Sequence, residues 1–312
     1  MMNTNKVTVF YACDDRYIPY LSVSLLSLTE NADKATVYNV IILHSGVCKK
    51  NIDTICGMAT DNVSVSFTDV SDQLRQIADQ LCLRDYYSLS IYYRIFIPEL
   101  FPETEKAIYL DSDTVVLSDI AKLYQTNLKD NLVAAVPDMV VASEEIFRKY
   151  ADDGVGVPYK RYFNSGVMVM NLALMRKHRL QNQFTHLLET HHFNTICPDQ
   201  DYLNVICKDK VLYLGTEWNK MSVDESPCIR LNLIHYNMFF KPWLYSGVLY
   251  QEYFWEYAKR SPFYENLLEE KKNFSEENLQ QDIAAGEHLR KTAGQIIESN
   301  YNFKSVLTGE TV

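Results

Sequence analysis

The sequence predicts an α/β protein with a mixed central sheet, followed by a helical C-terminal segment. Through the first two thirds of the chain, short apolar runs alternate with segments that have the length and periodicity of helices. This alternation is typical of β-α-β units, which form mostly parallel sheets. After residue 160 the order of the elements becomes mixed, and from residue 250 onward the pattern is helical. We therefore predict one domain over residues 1–250 and a helical segment over residues 251–312.

Each strand is predicted from a short apolar run, and each helix from a longer segment whose apolar residues recur on one face. The predicted strands are 7–12, 37–43, 63–67, 107–110, 132–136, 163–172, 211–214 and 229–236. The predicted helices are 19–30, 47–60, 71–83, 88–97, 173–193, 199–208 and 280–298. The last of these has no strongly basic face opposite Trp or Phe, so we expect a packing surface and at most peripheral contact with a membrane.

The composition is that of a globular protein and disfavours nucleic acid as a partner. Of the 312 residues, 47% are hydrophobic, which is enough for a sizeable core, and the formal net charge is −10. A nucleotide substrate would therefore need a cation or a few placed basic residues. The seven cysteines are scattered, which argues against disulfides and zinc and for a reducing compartment. With no visible signal peptide or spanning segment, we expect a cytoplasmic protein.

The most informative segment is the apolar run 107–110, which leads directly into Asp111-Ser112-Asp113. The carboxyl end of a strand is where open α/β sheets bind ligands. Two carboxylates this close repel each other, and a cation between them relieves the repulsion. The segment predicts a divalent metal that holds a diphosphate. The alternative is a turn with two solvated acids, because the same spacing recurs at Asp199-Gln200-Asp201.

Polar residues also follow the first predicted strand. Asp14 or Asp15 at its end is placed to accept a hydrogen bond from the N3–H of uracil, and Tyr11 or Tyr17 to stack on the base. The alternative is that the carboxylate caps the helix that begins near Pro19. The sequence leaves both interpretations open.

Three later segments add candidate residues. Gly166, in Asn164-Ser165-Gly166, interrupts an apolar strand, which often marks close approach of a ligand to the backbone. His235 ends another apolar run and is a plausible nitrogen ligand beside a metal-diphosphate site, although a lone histidine there is usually structural. Lys241 follows six residues later as a charge for phosphate.

Together these segments resemble the retaining glycosyltransferases of family 8, a group that includes bacterial lipooligosaccharide α-galactosyltransferases. The resemblance runs from Val7 to Trp243. It depends on six segments in order: Tyr11-Ala12-Cys13-Asp14-Asp15, Arg94 within Ser88–Arg94, Leu110-Asp111-Ser112-Asp113, Phe163-Asn164-Ser165-Gly166, Asp199-Gln200-Asp201, and His235-Tyr236 with Lys241-Pro242-Trp243.

The resemblance implies a single Rossmann-like nucleotide-sugar domain of the GT-A type, a Mn²⁺ or Mg²⁺ ion and a UDP-hexose donor. The implied metal ligands are Asp111, Asp113 and His235. The implied nucleotide-binding residues are Tyr11, Ala12, Asp14 and Tyr17 at the uracil, Ser112 between the metal carboxylates, and Lys241 at the diphosphate. The residues implied to meet the donor sugar are Arg94, Asp111, Asn164, Asp199 and Gln200. Two positions depart from the family pattern: Arg16 replaces a small polar residue, and Met238 replaces a glycine.

The implied reaction moves glucose or galactose, with α linkage, to a hydroxyl of a glycan, glycolipid or glycoprotein, as in lipopolysaccharide biosynthesis. Gln200 lies where a nucleophile would be expected, but an amide is a poor nucleophile, and Asp201 is the carboxylate alternative. We favour attack by the acceptor hydroxyl on the face from which UDP departs.

Two other functions are compatible with parts of the pattern. A haloacid-dehalogenase-type phosphatase also carries Asp-x-Asp-Thr after an apolar strand, but usually on its first strand. A non-catalytic UDP-sugar-binding protein would keep the nucleotide site without turnover, and measurable UDP affinity without reaction would indicate it.

Overall fold

A computed structural model describes residues 6–75 and 89–308 of the chain. Its main sheet has the strand order β3-β2-β1-β4-β7-β6-β8. The pairs β1–β2, β2–β3, β1–β4 and β6–β8 are parallel, whereas β7 is antiparallel to both β4 and β6. The strands of this sheet are β1 (Lys6–Ala12), β2 (Val37–His44), β3 (Val63–Asp69), β4 (Lys106–Leu110), β6 (Val133–Pro137), β7 (Phe163–Asn171) and β8 (Val211–Tyr213). The predicted α/β class with a mixed sheet is confirmed.

A smaller sheet has the order β5-β10-β9, in strands β5 (Thr114–Val116), β9 (Lys220–Met221) and β10 (Leu233–His235). Strand β10 is antiparallel to β5, with His235 opposite Thr114. This pairing places the residue that ends β10 directly beside the Asp-x-Asp segment. Strands β5 and β9 were not predicted, because two or three residues are too few to show a period.

The helices of the first 250 residues cover the main sheet and connect its strands. They are α1 (Ile18–Asn31), α2 (Lys49–Cys56), α3 (Ser71–Arg75), α4 (Tyr93–Leu100), α5 (Ala121–Tyr124), α6 (Met139–Ser143), α7 (Glu145–Lys149), α8 (Leu172–Lys177), α9 (Leu180–His191) and α10 (Pro198–Ile206). The helix predicted over 173–193 is two helices, and Arg179 between them is in the left-handed region with φ 53°. Parts of the helices predicted over 71–83 and 88–97 lie outside the described residues.

Both faces of the main sheet are buried, which explains why its central strands read as unbroken apolar runs. In β4, Ala107 and Tyr109 pack in the core on one face, whereas Ile108 and Leu110 pack in the core on the other. The carboxyl ends of β1 and β4 meet because the strands are parallel, with Tyr11 opposite Leu110. The polar residues of the candidate site lie at this end of the sheet, where the carboxyl ends of β1 and β4 meet.

The C-terminal region is helical, as predicted, and packs back onto the rest of the fold. Its helices are α11 (Gln251–Ala258), α12 (Tyr264–Asn273), α13 (Glu276–Glu298) and α14 (Phe303–Leu307). Leu289, Ala293 and Ile296 of α13 share a buried cluster with Phe147 and Tyr150. Within the described ranges, no helix combines the length and apolar character needed to cross a bilayer.

Candidate active site

A cavity of about 510 Å³ opens at the carboxyl ends of β1 and β4 and is the setting of the candidate site. Eleven of the fourteen residues implicated from sequence line it: Ala12, Tyr17, Arg94, Asp111, Ser112, Asp113, Asn164, Asp199, Gln200, His235 and Lys241. The fold therefore brings together segments that are more than 200 residues apart in sequence. The other three, Tyr11, Asp14 and Asp201, are not among the residues that line the cavity.

Asp111, Asp113 and His235 form a compact group of potential metal ligands. One ligand atom from each lies within 4.8 Å of the others. His235 Nε2 is 3.1 Å from Asp113 Oδ1 and 3.7 Å from Asp111 Oδ2. The antiparallel pairing of β5 and β10 produces this geometry, because it aligns the end of β10 with the loop between β4 and β5. The two carboxylates suit Mn²⁺ and Mg²⁺, and the imidazole nitrogen favours Mn²⁺ of the two.

The other ring nitrogen of His235 is fixed by a chain of amides. Its Nδ1 lies 3.1 Å from Asn219 Oδ1, while Asn219 Nδ2 donates to Asn164 Oδ1 at 2.9 Å. Asn164 Oδ1 also accepts from the backbone N–H of Gly166, which sets the orientation of both amides. Asn219 Oδ1 is therefore an acceptor for the Nδ1 proton, and Nε2 faces the carboxylates. Metal-binding histidines are commonly oriented in this way. Sequence reasoning missed Asn219, which lies on an irregular turn without a motif.

Gly166 brings its backbone against the ligand group. A Cβ placed on this residue would lie 2.3 Å from His235 Cε1 and 2.4 Å from Asp111 Oδ2. The carbonyl of Gly166 accepts from the N–H of Asp111 at 2.7 Å, so the two backbones are held together. The close approach at this glycine is made by the side chains of Asp111 and His235, which leave no space for a side chain on residue 166. Approach by a ligand stays a prediction.

The side chain of Arg94 forms ion pairs with Asp111 and Asp199 and holds both in place. Its side chain is only 3% exposed, and its Nη2 and Nε lie 2.8 Å from Asp111 Oδ1 and 3.2 Å from Asp199 Oδ2. Nη1 donates to Ser165 O and Oγ, and the guanidinium stacks 4.4 Å from the Tyr109 ring centre. Burial raises the pKa of Asp199, and the charge of Arg94 opposes that rise. Arg94 therefore positions Asp111 and Asp199. Its contact with a donor sugar stays a prediction.

Lys241 pairs with Asp113, the second carboxylate of the potential metal-binding group. Its Nζ lies 2.5 Å from Asp113 Oδ2 and also donates to the carbonyl of Tyr236. Burial by itself raises the pKa of Asp113, but the Lys241 ammonium and the His235 ring more than offset it, so that the pKa lies well below its usual range. Asp113 is therefore a carboxylate at any physiological pH, as a metal ligand must be.

Gln200 is held in the wall of the cavity by two partners. Its Oε1 accepts from the N–H of Ser165 at 2.9 Å, and its Nε2 donates to Asp138 Oδ2 at 3.0 Å. Asn164 Nδ2 donates to the same Asp138 oxygen at 2.9 Å. Asp138 was missed from sequence, although it follows β6 as Asp111 follows β4. Its second oxygen caps α6, so it was hidden as an ordinary helix cap.

The structure contradicts the alternative in which Asp201 attacks the sugar. Asp201 is fully buried, and its oxygens accept from Tyr150 and Tyr162 hydroxyls at 2.7 and 2.6 Å and from the N–H of Cys197. Burial raises the pKa of Asp201 to about 6, although the tyrosine hydrogen bonds lower it. This carboxyl group joins α10 to the segment before β7 and does not line the cavity.

Next to the end of the cavity lined by Ala12 and Tyr17, the structure corrects the stacking role considered for Tyr11. Its side chain is fully buried, and its hydroxyl bonds with Ser24 at 3.0 Å, so the ring belongs to the core. Asp14 caps the turn that follows β1, because its Oδ1 accepts from the N–H groups of Arg16 and Tyr17. Tyr17 does line the cavity and remains the aromatic candidate for the base.

Ser112 closes the same end of the cavity. Its hydroxyl donates to the carbonyl of Ala12 at 3.0 Å, which ties the Asp-x-Asp loop to the end of β1. Met238, which also lines the cavity, is in the left-handed region with φ 60°. A glycine adopts this conformation without cost, so Met238 keeps the backbone geometry for which a glycine is suited at the expense of local strain.

Comparison with known proteins agrees with this geometry. A model of the family described as glycosyl transferase family 8 matches residues 8–247. A putative glycosyltransferase of Haemophilus influenzae is 27% identical over 233 residues, covering 74% of this chain and 68% of that protein. Lipopolysaccharide 1,2-glucosyltransferase of Escherichia coli K12 is 26% identical over 276 residues, covering 80% and 78%.

The same fold is found among solved structures. The galactosyltransferase LgtC, crystallised with donor and acceptor sugar analogues, superposes with a TM-score of 0.70 at 24% identity and covers 82% of this chain and 96% of its own. The fold is thus of the GT-A type. The family match over residues 8–247 favours a glycosyltransferase over the phosphatase alternative. The family match spans most of the chain and includes all fourteen residues implicated from sequence, and the chain belongs to glycosyl transferase family 8.

Proposed function

We propose that this protein is a metal-dependent, retaining hexosyltransferase that moves glucose or galactose from a UDP-sugar to an acceptor hydroxyl. The observation that carries the proposal is the group of Asp111, Asp113 and His235, whose ligand atoms lie within 4.8 Å of one another beside Lys241. The donor set fits Mn²⁺ or Mg²⁺. Because Gly166 has no side chain, it does not displace Asp111 or His235. When bound, such a cation supplies Lewis-acid stabilisation of the charge that develops on UDP.

The residues of the chain explain how the donor would be oriented. Tyr17 and Ser112 line the end of the cavity next to Ala12, where the nucleotide would lie, and Lys241 adds positive charge near the diphosphate. At the other end Asp199 and Gln200 face the sugar, each held by a buried partner. Preorganised groups of this kind stabilise a transition state without having to move.

Retention would follow from front-face attack. As the bond between sugar C1 and the UDP oxygen breaks, the acceptor oxygen bonds to C1 on the same face, and its proton passes to the departing phosphate. The sugar develops oxocarbenium character, which the nearby Asp199 carboxylate and the oxygen of the Gln200 amide stabilise. Asp201 is enclosed by Tyr150 and Tyr162, which supports a mechanism without a covalent intermediate.

The relatives suggest the kind of acceptor and the compartment. One relative is a lipopolysaccharide 1,2-glucosyltransferase. We therefore propose that the acceptor is a glycan or glycoconjugate that forms part of a bacterial surface polysaccharide. The described cysteines are all free, which supports work in the reducing cytoplasm, where UDP-sugars are made available.

Incubation with UDP-glucose and with UDP-galactose tests the proposal, because it needs no knowledge of the acceptor. With Mn²⁺ we expect slow hydrolysis of one donor, measured as UDP release, and none with EDTA. Calorimetry should show UDP binding that weakens strongly in EDTA, since the chain offers little positive charge of its own. UDP binding without turnover of either donor would instead indicate a binding protein.

A further inference from the structure

Lys241, the candidate contact for the diphosphate, begins a tight turn of the chain. Its carbonyl accepts from the N–H groups of Leu244 and Tyr245 at 3.0 and 2.9 Å, which folds residues 241–245 into the turn. The turn lies outside the helices and strands of the fold. Contacts from neighbouring elements must therefore fix its position, and with it the position of the Lys241 ammonium.

The half-buried Lys271 of α12 holds this turn by its backbone. Its Nζ donates to the carbonyls of Pro242 and Tyr245 at 3.1 and 3.0 Å. The same Pro242 carbonyl accepts from Trp255 Nε1 of α11 at 3.2 Å, and the Lys271 ammonium lies 4.9 Å from the centre of the Trp255 ring. Hydrogen bonds from a charged donor are stronger than those between neutral groups, so Lys271 is the stronger of the two anchors.

Glu270, the residue before Lys271, holds the same turn through a stacked pair of rings. Its Oε1 accepts from the Tyr20 hydroxyl at 2.5 Å, and the Tyr20 ring stacks on Trp243 with the ring centres 4.0 Å apart. Trp243 is the buried side chain of the turn. Two adjacent residues of α12 therefore fix the turn, one by its backbone and the other by its side chain.

The partners of Lys271 distinguish it from an ordinary surface lysine. An exposed lysine on a helix commonly pairs with a carboxylate one helical turn away, as Lys49 does with Asp53. Within the described residues, the hydrogen bonds of Lys271 go to backbone carbonyls instead. Bonds of this kind set the course of the chain, and the chain that they set carries Lys241 to its ion pair with Asp113.

We propose that Lys271 is a positioning residue for nucleotide binding: through the turn of residues 241–245 it fixes the Lys241 ammonium beside Asp113, where the diphosphate of the donor would lie. The inference rests on the nucleotide site of the proposed hexosyltransferase. Lys271 is not among the residues that line the cavity, so it acts through Lys241. An ammonium that is held in place before the ligand arrives gives more affinity than the same group on a loose turn, because less freedom is lost on binding.

Calorimetry of UDP binding in the presence of Mn²⁺ tests the proposal. Lys271→Met keeps most of the length of the side chain and removes its donors, and we expect the dissociation constant for UDP to rise about tenfold. Lys272→Met removes the same charge from the next, exposed residue of α12 and should change the constant by less than about twofold, because an exposed charge is screened. Trp255→Phe keeps the ring and removes the other donor to the Pro242 carbonyl, so it should raise the constant at least about threefold.

A double-mutant cycle shows whether Lys271 acts through Lys241. In the Lys241→Met background the ammonium to be positioned is gone, so Lys271→Met should change the dissociation constant for UDP by less than about twofold. A merely structural loss would weaken binding by the same factor in both backgrounds. All proteins are titrated to millimolar UDP at temperatures well below their unfolding midpoints, and Trp255→Phe carries the same cycle if Lys271→Met does not fold.

The outcomes separate this inference from the proposed function. Wild-type UDP affinity in Lys271→Met, or an equal loss in both backgrounds, overturns the inference, while the hexosyltransferase proposal stands. UDP binding by the wild-type protein without turnover of UDP-hexose contradicts the proposed function alone, and the cycle still decides the role of Lys271. Absence of UDP binding by the wild-type protein with Mn²⁺ contradicts the proposed function, and the inference falls with it.

Discussion

Replacing Gly166 with alanine should disable the cation site by inserting one methyl group. The added Cβ would lie 2.3 Å from His235 Cε1 and 2.4 Å from Asp111 Oδ2, about 1 Å inside ordinary van der Waals contact. Neither neighbour can move aside easily, because His235 is held by Asn219 and Asp111 is held by Arg94. The methyl group must therefore push apart two of the three metal ligands.

The size of the effect follows from the cost of overpacking. An extra methyl in a well-packed site costs about 1–3 kcal/mol. If the added methyl group destabilises the metal-bound form by this free energy, the affinity for Mn²⁺ falls by about 5- to 160-fold. We expect a similar loss in turnover, because a small displacement of a positioned group has large effects on rate.

The assay is UDP release from UDP-hexose as a function of Mn²⁺ concentration, combined with thermal unfolding in EDTA. Gly294→Ala is the matched control, because its added methyl meets nothing closer than Ile146 Cδ1 at 3.9 Å and lies within a helix that alanine favours. The control should keep the wild-type Mn²⁺ dependence. Wild-type Mn²⁺ affinity and turnover in Gly166→Ala would refute the reasoning.

Three further predictions concern single side chains. Asp113→Asn should abolish Mn²⁺-dependent turnover while circular dichroism shows an intact fold, since it removes an anionic ligand and little volume; near-wild-type turnover would contradict the metal assignment. Gln200→Ala should lower kcat by a graded amount, on the order of a hundredfold, through loss of positioning; complete loss, as for a nucleophile, would contradict front-face attack. The pKa of Asp201 is raised to about 6 from 3.8, so the folded protein holds this proton more tightly than the unfolded chain does. The resulting stability, on the order of 3 kcal/mol, is present below pH 4 and lost as the pH rises through 6. Asp201→Asn should reduce the dependence of the free energy of unfolding on pH over that range. An unchanged dependence on pH would show that another group is responsible.

The sequence predicted the parts of the site that lie next to apolar runs of the chain. Strand β4 is buried on both faces, so its apolar run is unbroken, and the change to Asp111-Ser112-Asp113 is sharp. The same logic applies to Asn164 and His235, which the structure places in the same cavity. These features are local in sequence, and a local pattern can reveal them.

What the sequence could not predict depends on contacts between distant segments. Asn219 lies between two short strands, and its role appears only once β9 and β10 bring it to His235. Asp201 looked like a candidate nucleophile because it shares a motif with Asp199, but Tyr150 and Tyr162 enclose it. The position of α13 beside the cavity also follows from tertiary packing, which the hydrophobic periodicity of the sequence does not reveal.

The configuration of the released sugar tests the central claim most directly. UDP-glucose or UDP-galactose, whichever the enzyme hydrolyses with Mn²⁺, is followed by proton NMR before the free hexose can mutarotate. Retention through the site of Asp111, Asp113 and His235 predicts that the α-anomer appears first, and only when Mn²⁺ is present. First appearance of the β-anomer, or equal rates in EDTA, would contradict a metal-dependent retaining transferase.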